Sequence, residues 1–192
     1  YAAHNVKLNG GGVMVRLAGE NQVSGEFIFG HRGGVVDMYG HNLTLNAITH
    51  LDSGAVFANY LGNSTVTLTF TGSGEQTFLG ALRDGEAASR GLMNVVYAPG
   101  TAEGSVWNLA GHILNTGTWT VQGGEVKVAG VYTLHAGGYV DENDWQMASF
   151  STGTVQVNSG ARFTTGGHSL VVSAVQVDDG GTYGVLAGGC LL

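Results

Sequence analysis

Val157-Asn158-Ser159-Gly160-Ala161-Arg162-Phe163 lines up, twenty residues on, with Val177-Asp178-Asp179-Gly180-Gly181-Thr182-Tyr183. Each copy is an inward apolar residue, a polar pair, a Gly, a small residue and a fresh β-type run. That unit describes a strand, a tight corner whose Gly supplies a positive φ, and the next strand. The same frame fits Leu51-Asp52-Ser53-Gly54-Ala55-Val56-Phe57, and Val121-Gln122-Gly123-Gly124-Glu125-Val126 fits with a slip of one place at its end. A coil of about 20 residues built from short strands is the repeat of a parallel β-helix. Inward apolar residues then stack along the axis, and corner residues such as Asn158 and Asp178 are placed to ladder from coil to coil.

The surrounding chain agrees. Short runs such as Thr65–Phe70, Trp119–Val121, Thr154–Val157 and Ala174–Val177 alternate apolar residues with Thr, Gln or Asn, bounded by Gly, Asn, Asp or Ser. Alternation of this kind buries one face of a strand and wets the other. Pro occurs once in 192 residues, as suits ladders paired on both sides. Gly80–Arg90 is the single helix-like stretch. Gly85 interrupts it, so the expectation there is a loop or one turn. About nine coils, spaced near 4.8 Å, give a rod of roughly 45 Å. An antiparallel sandwich or barrel uses the same short strands and Gly turns and stays open at this point.

Composition removes several classes of function. Gly supplies 34 residues without a G-X-Y period, so collagen is out. Lys plus Arg is 7 against 14 Asp plus Glu, a net charge of −7 that repels nucleic acid and anionic membranes. No run reaches 18 apolar residues, so no membrane-spanning helix or signal peptide is expected. The chain starts at Tyr1 and stops after Leu192, and it reads as a fragment or processed piece. The lone Cys190 cannot close an internal disulfide. It reads as an inert thiol, or as the source of a covalent dimer formed on handling.

Each motif with chemical potential has a plainer reading. Asp52-Ser53-Gly54 is similar to the surroundings of a serine nucleophile, but a nucleophile needs a base oriented by a third group. His50 lies three residues away on an adjoining strand, and the frame recurs at other corners, so Ser53 is read as structural. Seven histidines (His4, His31, His41, His50, His112, His135 and His168) show no zinc-like spacing. His31 and His41 are ten apart and are candidates to face each other across a coil. Asp141-Glu142-Asn143-Asp144 carries hard oxygen ligands without an EF-hand or nonapeptide calcium pattern, and reads as a solvated loop. Asp178-Asp179 reads as a turn. Paired carboxylates for polysaccharide cleavage are not assignable. Tyr39, Tyr60, Trp107, Trp119 and Trp145 either fill the core or form a binding face. No catalytic, cofactor-binding or metal-ligating residue is assigned, and no cofactor is expected.

Three stretches resemble the passenger domains of bacterial autotransporters, in particular the immunoglobulin A protease and serine protease autotransporter group. They are GHRGGVVDMYGHNLTLNAITHLDSGAVFAN at Gly30–Asn59, GLMNVVYAP at Gly91–Pro99 followed by WNLAGHI at Trp107–Ile113, and Thr133–Ala136 followed by Asn143-Asp144-Trp145 and Phe150. The resemblance implies a right-handed, single-stranded parallel β-helix, with 1–192 one segment of a larger passenger and 80–104 a loop-bearing excursion. It also implies a non-catalytic stalk of a secreted virulence protein (type V secretion), extracellular or at the cell surface after export through the periplasm and outer membrane. The partners it implies are an upstream effector domain, expected to be a serine protease, and a downstream outer-membrane barrel. An adhesin or self-association surface for host glycan or protein is the alternative, and a glycan-cleaving enzyme a further one.

Overall fold

The computed structural model describes residues 3–50, 54–85, 90–128, 150–165 and 170–185. The first coil holds β1 (Val6–Leu8) and β2 (Met14–Arg16). The second holds β3 (Glu26–Phe29), β4 (Gly34–Asp37) and β5 (Leu43–Leu45), and the third β6 (Ala47–His50), β7 (Ala55–Asn59) and β8 (Thr65–Phe70). The fourth holds β9 (Glu75–Phe78), β10 (Ala81–Asp84) and β11 (Leu92–Tyr97), and the fifth β12 (Val106–Leu109), β13 (His112–Leu114) and β14 (Thr118–Val121). The sixth joins β15 (Glu125–Val128) to β16 (Phe150–Val157), and the seventh β17 (Arg162–Thr165) to β18 (Leu170–Val177). β19 (Thr182–Val185) opens an eighth. Every ladder among the described residues is parallel. The fold is therefore a parallel β-helix, and the antiparallel alternative is excluded.

Three faces run along it. Face one carries β1, β3 and β6, then β9, β12, β15, β17 and β19. Face two carries β2, β4, β7, β10 and β13, and face three β5, β8, β11 and β14. The long strands β16 and β18 cross both, because β16 pairs with β13 at one end and with β14 at the other.

The deciding repeat holds in register. Val157 sits beside Val177 and Phe163 beside Tyr183, twenty residues apart on both faces. The slip at Gly123-Gly124 is also real: Val121 pairs with Val157, but Glu125 pairs with Arg162, one place further on. Gly124, Gly160 and Gly180 take φ of 64°, 74° and 81°, as the corner requires. The third frame sits elsewhere. Ala55 pairs with Gly34 on face two, so this frame leads from face one to face two rather than from face three to face one. Leu51, Asp52 and Ser53 lie outside the described residues.

Coil length varies. On face one Val6, Phe27 and Ile48 follow at 21 residues, Gln76 and Trp107 at 31, Trp107 and Val126 at 19, and Val126 and Phe163 at 37. The longer central coils leave eight strands on this face rather than nine coils. The stretch Gly80–Arg90 begins as strand, not loop. Leu82 is fully buried between Phe57 and Ile113, and that stacking outweighs weak β-propensity. Within 80–104 the loops are thus confined to 85–91 and 98–105.

The core is one column. Phe27, Phe29, Phe57 and Phe78 pack with centroids 5.6–6.2 Å apart. Phe70, Tyr97, Trp107 and Trp119 continue it at 4.6–6.1 Å. Aliphatics such as Val121, Val126 and Val155 follow, all fully buried. Truncating one of these aromatics to Ala costs about 3–5 kcal/mol.

A second column, at the corner from face two to face three, turns from apolar to polar. Leu17 and Met38 are succeeded by Asn59, Asp84, Asn115 and Thr152, all at most 5% exposed. Each is satisfied. Asn59 Nδ2 donates to Ser64 Oγ (3.0 Å) and Leu92 O (3.1 Å), and its Oδ1 accepts from Gly40 N. Asp84 accepts from Met93 N (2.8 Å), Thr116 N (2.7 Å) and the Thr116 hydroxyl (2.6 Å). Asn115 donates to Met93 O and accepts from Trp119 Nε1 (2.9 Å), while Thr152 donates to Gly117 O. Carboxylate and amides here take the place that water would fill around corner backbone groups.

Face one is interrupted once. β6 and β9 form no ladder among the described residues, and face one falls into a three-stranded and a five-stranded sheet. Residues 71–74 separate β8 from β9, where Asn46 alone separates β5 from β6. The longer corner lifts β9 out of register. The His50 imidazole bridges the gap, with Nε2 2.7 Å from Thr77 O and its ring edge-on to Phe78 at 5.6 Å.

Candidate interaction surfaces

With the core closed, chemistry falls to side chains that point outward, and these form rows. On face three the row Thr44, Thr69, Val96, Thr120, Gln156 and Gln176 is almost wholly neutral and polar. Asparagines beside it tie coils together. Asn21, Asn42 and Asn94 each accept through Oδ1 from the N–H of Thr44, Thr67 and Thr118 in the next coil, at 2.7–2.9 Å. On face one the glutamates do this work. Glu26 accepts from the Thr49 hydroxyl (3.0 Å), Glu75 from Asn108 Nδ2 (3.0 Å), and Glu125 from the Thr164 hydroxyl with Arg162 Nε 4.0 Å away. Gly104, Gly124 and Gly160 floor an open groove of about 260 Å³ beside Glu125 and Arg162.

Face two carries the cationic and aromatic stripe. Asp37 is fully buried, and its Oδ2 receives Arg16 Nε at 2.8 Å. Its Oδ1 accepts from the backbone N–H of Tyr39 and Tyr60, each at 3.0 Å. The Arg16 guanidinium lies 4.0 Å over the Tyr39 ring, and Arg83 donates to the Tyr60 hydroxyl at 2.6 Å. Tyr39 and Tyr60 stack because Asp37 and Ala58 share a register position 21 residues apart. That offset was the available signal for Arg16, Asp37 and Arg83, which the sequence reading did not single out.

The aromatic candidates divide accordingly. Trp107 and Trp119 are core, Tyr39 and Tyr60 stand half-buried at the surface, and Trp145 lies outside the described residues. His31 and His41 do not face each other. They occupy different corners, on either side of β4, and His41 meets Glu20 at 3.5 Å. His4 lies 3.5 Å from the Ser24 hydroxyl, and His112 opens β13. Asp178 and Asp179 are exposed in a turn closed by Gly181 N to Asp178 O at 2.8 Å. His135, His168, Asp141–Asp144 and Cys190 lie outside the described residues. Among the described residues no group of three or more His, Cys, Asp or Glu is placed to hold a metal ion. Burial pushes the Tyr97 hydroxyl up to about 12, Ser105 pulling modestly the other way, and burial raises Tyr183 too. Both rings belong to the axial stack rather than to a surface site.

Known proteins match this picture. A family model described as the PIC/HAP1/IgA0 second beta-solenoid repeat region matches residues 91–185. The adhesion and penetration protein autotransporter of Haemophilus influenzae is 27% identical over 174 residues, covering 80% of this chain and 12% of that protein. The chain thus spans about 12% of the length of that relative. No solved structure matches it. With eight parallel strands on face one, a through-going core and these two matches, the chain is a β-solenoid stretch of an autotransporter passenger.

Proposed function

We propose that this β-solenoid is a non-catalytic stalk that carries an effector domain of its parent chain away from the cell, a serine protease in the favoured form. An autotransporter passenger is secreted or displayed at the cell surface, and a downstream barrel in the parent would be its exit. One observation carries the reading: faces two and three are laddered from β2 and β5 to β18 over a single continuous core. Such a stack transmits length and stiffness, and each exposed strand edge templates the next coil as it emerges. The test is labelling of the full-length secreted protein with a serine-directed fluorophosphonate, followed by peptide mapping. The expected result is no label at Ser53 and unchanged peptidase activity in Ser53→Ala. Label at Ser53 ends the stalk reading.

A second reading is adhesion through face three. Its neutral rows of Thr, Asn and Gln favour polar contacts with a host glycan or matrix protein, and the relative in Haemophilus influenzae is named for adhesion and penetration. Placing Lys at Thr67 and Thr118, outward in adjacent rows, is expected to abolish binding to an immobilised matrix array under this reading. Binding unchanged by both substitutions overturns it.

A further inference from the structure

Asn-x-Ser/Thr is the acceptor triplet for N-glycosylation, and it belongs on the surface of a secreted chain. The sequence holds two such triplets, Asn42-Leu43-Thr44 and Asn63-Ser64-Thr65. Both lie at the corner from face two to face three, in adjacent coils, yet the fold treats them differently.

Asn42 is part of the outer ladder. Its Oδ1 accepts from Thr67 N at 2.7 Å, its own N–H donates to Glu20 Oε2 at 2.8 Å, and its carbonyl accepts from Asn21 N at 3.0 Å. Thr44, the third residue of that triplet, donates its N–H to Asn21 Oδ1 at 2.8 Å. A coil therefore lies against the carboxamide on each side.

Asn63 stands at the tip of the turn between β7 and β8. Its φ is 56°, a left-handed conformation that turns the side chain away from the strands. The middle residue is pinned inward, Ser64 Oγ donating to Leu61 O at 2.7 Å and accepting from the buried Asn59 at 3.0 Å. Asn63 and Thr65 on either side are exposed. Among the described residues neither side chain makes a hydrogen bond.

We propose that Asn63 is a glycan attachment site and that Asn42 is not. In the transfer, Asn63 Nδ2 bonds to C1 of a hexose from a nucleotide-activated sugar. The C1–O bond to phosphate breaks, the nucleoside diphosphate leaves, and the Nδ2 proton passes to a base of the transferase. The attached sugar projects from an outer corner and displaces no neighbouring coil. The test is peptide mass mapping of the full-length protein secreted by its own host, beside Thr65→Ala, which keeps Asn63 but destroys the triplet. The expected result is a hexose-sized increment on the Asn63 peptide, lost in Thr65→Ala, with the Asn42 peptide at least ten-fold less modified. Thr65 is exposed, and circular dichroism checks that the variant keeps its strands. An unmodified Asn63, a sugar retained in Thr65→Ala, or equal modification of Asn42 overturns the proposal.

Discussion

The two corners that bound face three turn the chain by opposite means. From face three to face one the chain turns on a left-handed Gly (Gly74, Gly104, Gly124, Gly160 or Gly180), and little else is needed. From face two to face three it turns over a buried polar side chain that reaches into the next coil: Asn59, Asp84, Asn115 or Thr152. The first corner is specified by its own backbone. The second is specified by the coil stacked on it, so it forms only once that neighbour is in place. Coil stacking is therefore cooperative at one edge and local at the other.

This contrast can be broken deliberately. The largest loss is expected from Asp84→Ala, which strips the acceptor from two N–H groups and a hydroxyl in the fourth and fifth coils. It should cost about 3 kcal/mol or more in urea unfolding. Asn115→Leu removes partners from Trp119 Nε1 and Met93 O and should cost about 2 kcal/mol, with the indole emission shifting as its hydrogen bond is lost. Gly160→Ala tests the other corner. No atom lies within 4 Å of the added Cβ, so the left-handed backbone alone resists, at about 1–2 kcal/mol. Equal or greater loss at Gly160 than at Asp84 would reverse the ranking of the two corners.

The smallest effect is expected at Tyr97, which belongs to neither corner. Its hydroxyl is buried and makes no hydrogen bond of ordinary length among the described residues, so Tyr97→Phe should change stability by less than about 1 kcal/mol. The pH dependence is sharper. Unfolded tyrosine ionises near 10 and folded Tyr97 near 12, so between these values the unfolded chain binds fewer protons. Stability is therefore full below pH 10 and falls as pH rises towards 12. Tyr97→Phe should flatten that fall, as unfolding midpoints measured across the range will show.

The same contrast explains what could be read from sequence. The Gly corner repeats at short, nearly fixed spacing, so Val157–Phe163 and Val177–Tyr183 declared both the coil and its register. The polar corner does not repeat in sequence, because Asn59, Asp84, Asn115 and Thr152 are separated by insertions of different length. A single chain gives no sign that they share a column. The strand at Ala81–Asp84 was hidden for a related reason: its charged, Ala-rich composition favours no sheet, and only Phe57 below and Ile113 above fix Leu82. On the surface, Tyr39 and Tyr60 were legible as aromatics. Their arginine partners depended on the 21-residue offset, which is clear only once Arg16, Asp37 and Ala58 are seen side by side.

The unpaired level between β6 and β9 also has a mechanical consequence. At that height two walls of the prism are riveted and the third is held by a single imidazole. A sideways load resolves into compression on the riveted walls and a gap on the third, so the column yields there first and in one plane. A stiff mast with one built-in direction of give can lean towards a target without unravelling.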